Sequence, residues 1–125
     1  MREILFRGKH MHVCPENKHL DGTWVEGYLA DENHINDGKC EFLIDPETIC
    51  QYTGLTDKNG KKIWEGDIVQ EKYYPYCTYK VVWGEGNGGW TAEYKSVPLY
   101  SIGCATSKKY EVVGNVFDNP ELLEV

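Results

Sequence analysis

Gln51-Tyr-Thr-Gly-Leu-Thr-Asp-Lys-Asn-Gly-Lys-Lys-Ile-Trp-Glu-Gly-Asp-Ile-Val69 decides the fold, because strand-forming and turn-forming residues alternate in it with almost no slack. Asp57 to Gly60 has the composition of a tight reversal: Asn59 tolerates positive φ, Gly60 adopts it without steric penalty, and Leu55 and Ile63 flank the turn at strand-type apolar positions. Glu65-Gly66-Asp67 makes a second reversal before Ile68-Val69 opens a new β run. The turn grammar predicts positive φ at Asn59 and Gly60, or at Gly60 and Gly66, with Ile63 and Trp64 facing opposite sides of the segment between them. No residue of the stretch is an obvious catalytic group.

Outward from this centre the chain reads as short strands. Glu3 to Arg7 and Thr23 to Leu29 are strand-like, separated by a polar loop rich in His, Asn and Lys. Asp31 to Lys39 is polar, with Asn36-Asp37-Gly38 as a turn before the apolar run Cys40 to Ile44. Asp45-Pro46-Glu47 has the grammar of a helix start, Asp45 as N-cap and Pro46 first in the turn, but the β-branched Thr48-Ile49 and then Gly54 leave room for little more than one turn. Ile68 to Tyr74 and Cys77 to Trp83 form a pair about Pro75, with Tyr79, Val81 and Trp83 on one face. Gly84 to Gly89 is a hairpin connection, after which Trp90, Ala92 and Tyr94 alternate with Thr91, Glu93 and Lys95. Lys95 to Lys109 reads as a polar loop, Val112 to Phe117 as the closing strand, and Asn119-Pro120 as the cap of a terminal turn through Leu123. The expected architecture is mainly β: a small, strongly bent antiparallel sheet or SH3-like barrel, with an N-terminal β layer and short helical turns. With no repeat and no linker-like segment, residues 1–125 are expected to form a single domain.

The central motif resembles that of the YopX family of phage and prophage proteins. The opening Arg2-Glu-Ile-Leu-Phe-Arg-Gly8, the following Gly22-Thr-Trp-Val-Glu-Gly27 and the closing Glu111-Val-Val-Gly-Asn-Val-Phe-Asp-Asn-Pro-Glu-Leu-Leu123 are similar to that family as well. Tyr73 to Lys109 carries the least of the similarity. The resemblance implies a small, mostly β protein encoded by bacterial mobile elements, in a family whose molecular role is uncharacterised.

Composition narrows the function classes. At 125 residues, with 41% hydrophobic and 13% aromatic content, the chain can bury a core without staples and lies far from the disordered class. No apolar run approaches the ~20 residues that span a bilayer, and none near the start has signal-peptide length, so a cytoplasmic location away from membranes is expected. Five cysteines, an odd number with no C-x-x-C pair, point to reduced thiols. A net charge of −7 disfavours phosphate-backbone binding, which draws most of its affinity from clustered Lys and Arg. Lys58, Lys61 and Lys62 form the one compact basic group, and beside Asp57 and Glu65 they read as a solvated turn tip.

Each chemical motif has a plainer reading. Asp57, Asn59 and Gly60 have an EF-hand flavour, but setting Gly60 at the sixth loop position puts Leu55 first and Gly66 twelfth, where carboxylates are required. His10, His12 and Cys14 offer three alternating zinc ligands, and His19, His34 or another cysteine would have to complete the set; exposed histidines of a polar loop are the simpler account. The glycines from Gly84 to Gly89 precede a strand, whereas a phosphate loop opens a helix. None of Cys14, Cys40, Cys50, Cys77 or Cys104 carries a nucleophile signature, and Glu65, Asp67, Asp45 and Glu47 fit turns and caps better than an acid–base pair. No cofactor, metal or catalytic residue is therefore assigned, and an enzyme is not expected.

The remaining feature is aromatic. Tyr73, Tyr74, Tyr76 and Tyr79 surround Pro75 and either form an exposed recognition surface or close one end of the core. Two functional classes follow: a non-enzymatic module that binds a protein partner, with homo-oligomerisation through edge strands as one form of it, or a small nucleic-acid-binding barrel that stacks bases on aromatic rings. The charge favours the first.

Overall fold

A computed structural model describes residues 5–11, 22–71, 77–84, 89–103 and 106–123. Its described chain is strand, turn and single-turn 3-10 helix throughout, and it divides into two compact units, Met1–Tyr52 and Thr53–Val125.

In the first unit, β1 (Phe6–Lys9) lies antiparallel between β2 (Trp24–Asp31) and the start of β5 (Cys50–Thr56), with Arg7 opposite both Glu26 and Cys50. β3 (His34–Asn36) and β4 (Glu41–Leu43) continue the sheet beyond β2. The apolar run therefore becomes β4 as expected, but the polar segment before it also holds a strand, because Ile35 supplies one fully buried side chain in register with Leu29 and Phe42. Ile35, Ile44, Cys50 and Tyr52 are buried in this unit. The expected cap forms: Asp45 accepts the Glu47 N–H at 3.1 Å and Pro46–Thr48 makes one 3-10 turn.

In the second unit, the later half of β5 leads through the Asp57 turn to β6 (Lys62–Trp64), with Thr53 Oγ1 donating to the Ile63 carbonyl at 2.7 Å. A five-stranded antiparallel sheet follows, built from β7 (Asp67–Glu71), β8 (Thr78–Gly84), β9 (Gly89–Tyr94), β10 (Val97–Ser101) and β11 (Tyr110–Asn115) in the order β10-β9-β8-β7-β11. Ile63, Val69, Tyr79, Val81, Trp90, Ala92, Ile102 and Tyr110 pack as its core. The mainly β class is thus met. The sheet ends on β10 and β11 and does not close, so of the two expected forms the antiparallel sheet is present and the closed barrel is not.

A further local expectation changes. Lys95 to Lys109 is not a polar loop, since it contains β10 and a 3-10 turn at Ser107–Lys109. The face shared by Tyr79 and Val81 extends past the core, leaving Trp83 46% exposed and edge-on to Trp90. Ile63 and Trp64 alternate along β6, yet both are buried, so both faces of that strand are covered. Of the two turn patterns, the one with Gly60 (φ 79°) and Gly66 (φ 84°) is present.

Candidate functional site

Asp57 is 1% exposed, and its carboxylate is spent entirely on backbone. Oδ1 accepts the N–H groups of Asn59 and Lys61 at 2.8 and 2.9 Å, and Oδ2 accepts that of Val112 at 2.9 Å. The neighbouring Lys58 N–H donates to the Tyr110 carbonyl at 3.0 Å, and Asn59 Nδ2 donates to Glu111 Oε2 at 3.0 Å. Outward-facing polar groups of β11 are therefore bonded by the central turn. The second turn acts alike: the Gly66 N–H donates to the Val81 carbonyl, and the Gly66 carbonyl accepts from Val116. Asp67, 2% exposed, accepts the Trp64 N–H at 2.8 Å. These carboxylates are structural anchors.

The opposite edge of the sheet is different. All five residues of β10 are exposed, including Val97 at 54%, Leu99 at 47% and Tyr100 at 46%. Pro98 lacks an N–H, and the register against β9 shifts between Pro98 and Tyr100. Proline and a bulge both blunt an edge against addition of another strand, so what β10 presents is apolar side chain more than free ladder. The strand is reached through Lys95 and Ser96, both at positive φ (50° and 68°) in a two-residue hairpin turn that ordinarily takes Asn-Gly.

Behind β10 lies a cluster of tyrosines. Val69 pairs with Tyr79, Glu71 with Tyr110, and Ala92 with both Val81 and Tyr100, which sets all these side chains on one face of the sheet. The Tyr79 ring stands 6.0, 5.9 and 6.2 Å from those of Tyr94, Tyr100 and Tyr110. Lys109, one residue before β11, places Nζ 5.8 Å from the Tyr100 ring centre, 5.6 Å from that of Tyr110 and 3.4 Å from Glu71 Oε1. Tyr110 is fully buried and its Oη has no hydrogen-bond partner among the described residues. Burial, then the Glu71 carboxylate and Tyr100, push its phenol from 10.0 up to about 12. Tyr79 is pushed up as well, by burial first and by Cys77 next.

Of the tyrosines singled out in the sequence, Tyr79 is 4% exposed and belongs to the core, whereas Tyr73, Tyr74 and Tyr76 lie outside the described residues. Tyr100, Tyr110, Glu71 and Lys109 were missed, because nothing in local sequence joins positions on three strands and a turn. His10 is buried edge-on to Phe42 with no partner for Nδ1 among the described residues, and His34 binds Asp31 at 2.8 Å; His12, Cys14 and His19 lie outside the described residues. Among the described residues no three His, Cys, Asp or Glu side chains gather as a metal set. Cys40, Cys50 and Cys77 are in no disulfide among the described residues, and Cys50 Sγ donates to the Thr48 carbonyl at 3.3 Å. In the first unit a cleft is lined by His10, Val25, Glu26, Phe42 and Asp37, of which Asp37 is engaged, since its Oδ1 accepts the Lys39 and Cys40 N–H groups, the Cys40 bond foremost in lowering its pKa. Lys58 and Lys61 are exposed on their turn.

A family model described as YopX protein matches residues 7–124. The chain belongs to the YopX family. The match runs through the middle section where the motif similarity was weakest. The crystal structure of protein EF1440 from Enterococcus faecalis is similar over 98% of this chain and 99% of that one, at 22% identity and a TM-score of 0.57, which supports the fold. No curated protein matches the chain. No described helix is long and apolar enough to cross a membrane.

Proposed function

We propose that this YopX-family chain is a non-enzymatic protein-interaction module that docks a protein partner on the exposed side chains of β10. The asymmetry of the sheet carries the reading: the β11 edge is bonded by the Asp57 turn, while β10 leaves Val97, Leu99 and Tyr100 in solvent. Apolar side chains concentrated on one exposed strand are suited to association. The buried carboxylates Asp57 and Asp67 hold backbone N–H groups, which supports a binding role over acid–base catalysis. In the setting that the family implies, the protein is a phage or prophage accessory factor acting in the cytoplasm.

The test is a Val97→Lys/Leu99→Lys double variant compared with wild type in affinity capture followed by titration of the purified partner. Both side chains are about half exposed, so the fold is expected to survive. The partner should bind the variant about tenfold more weakly or worse. Equal affinity would remove β10 from the reading. Light scattering identifies a second copy of this chain as the partner, and tight, salt-dependent retention of single-stranded nucleic acid in a gel shift would overturn the proposal in favour of base stacking.

A further inference from the structure

Glu71 is a nearly buried carboxylate of the second unit. Its side chain is 11% exposed, Lys109 is the cation beside it, and their 3.4 Å separation exceeds the ~2.8 Å of a well-made charge-assisted hydrogen bond. A nearly buried carboxylate left without a cation is costly, so the position demands positive charge. The Lys109 ammonium meets that demand loosely, from a surface turn, with its own side chain 39% exposed. It also faces two aromatic rings, each within the ~6 Å over which a ring attracts a cation. A carboxylate flanked by two tyrosine rings is the donor set that recognises alkylammonium groups.

We propose that Glu71, Tyr100 and Tyr110 form a cation-binding cage, held by Lys109 in the free protein and given over to the ammonium head of a lysine on the docked partner. This deepens, and rests on, the reading of β10 as the docking strand. Tyr100 belongs to both features: it is a β10 side chain, 46% exposed, and one wall of the cage. The lysine would enter from the side on which Val97 and Leu99 stand. The net charge of −7 favours a basic partner over an acidic one by long-range attraction. In the exchange one ammonium replaces another, so the charge on Glu71 stays neutralised and Lys109 is released to solvent.

Tetramethylammonium chloride, with sodium chloride at matched ionic strength as control, is titrated into wild type, Lys109→Ala, Lys109→Met and Lys109→Ala/Tyr100→Leu while tyrosine ring resonances are followed by NMR. Saturable shifts are expected at Tyr100 and Tyr110, with Lys109→Ala binding about fivefold tighter than wild type because the tethered competitor is gone. Lys109→Met keeps an apolar chain of similar length in the cage and should show less gain than Lys109→Ala. Tyr100→Leu keeps bulk but removes the ring and should weaken the Lys109→Ala variant about fivefold or more. Absence of saturable shifts in Lys109→Ala, equal affinity in wild type and Lys109→Ala, or indifference to Tyr100→Leu overturns the cage. The probe needs no partner protein. Failure of the β10 reading in the capture experiment therefore leaves the probe shifts intact, and failure of the cage leaves capture by β10 intact.

Discussion

At the scale of single residues, Asp57 ties the central turn to β11, because one buried carboxylate satisfies N–H groups of Asn59, Lys61 and Val112. Asp57→Ala would take the acceptor from three part-buried N–H groups, and an unsatisfied buried group costs about 1–3 kcal/mol, less where water reaches it. A loss of roughly 3 kcal/mol or more in denaturant unfolding is expected; a loss below about 1 kcal/mol would mean that water replaces the carboxylate freely. Tyr110 offers the opposite case, a buried hydroxyl with no partner among the described residues. Tyr110→Phe should be neutral or stabilising at pH 7, since it removes an unpaired polar atom without changing the ring. Alkaline pH gives a second readout. The folded state holds the Tyr110 proton from its usual 10.0 up to about 12, so this contribution to stability is whole below pH 10 and is lost as pH rises through about 12. Unfolding midpoints of wild type should fall across that window, and the Tyr110→Phe variant should fall less, keeping the part due to Tyr79, whose pKa is also raised.

Among the elements, β10 and its turn show where local sequence and structure disagree. Lys95 and Ser96 both sit at positive φ, a region that side chains with a Cβ adopt at a cost, and the hairpin persists because β9 and β10 pair around it. Lys95→Asn/Ser96→Gly supplies the residues the turn ordinarily takes, and a gain of about 1 kcal/mol in thermal or denaturant unfolding is expected. No gain would show that the strain is relieved elsewhere in the hairpin. Pro98 explains why the strand escaped a sequence reading. Val97-Pro-Leu-Tyr-Ser101 lacks the alternation of a half-buried strand, and proline within a run ordinarily demotes it, yet an edge strand tolerates proline whose nitrogen faces away from the ladder.

For the whole molecule, charge and thiol chemistry set the expectations. Cys40, Cys50 and Cys77 are in no disulfide and no metal-ligand group forms among the described residues, so thermal unfolding should be the same with and without chelator and reductant. A large loss of stability with chelator would instead bring His10, whose Nδ1 has no partner among the described residues, together with His12 and Cys14 as a zinc site. At −7 the chain should not retain duplex DNA at physiological salt, and a gel shift at two salt concentrations checks this.

The sequence alone determined the parts whose physics is local. Asp57-Lys-Asn-Gly60, Gly66 and Asp45-Pro46 announce their turns because the hydrogen bonds that make them close within four residues, as in Gly60 N–H to Asp57 carbonyl, Lys61 N–H to Asp57 Oδ1 and Glu47 N–H to Asp45 Oδ1. The β class followed from strand-type residues between such turns, and the family from the motif as a whole. Only the tertiary structure decided that the second oxygen of Asp57 reaches Val112, 55 positions along the chain, and so bonds one edge of the sheet. It alone set Glu71 against Tyr110, Tyr100 and Lys109, and left β10 bare. These contacts depend on which strands become neighbours and in what register, and antiparallel pairing brings together residues that no short window of sequence contains.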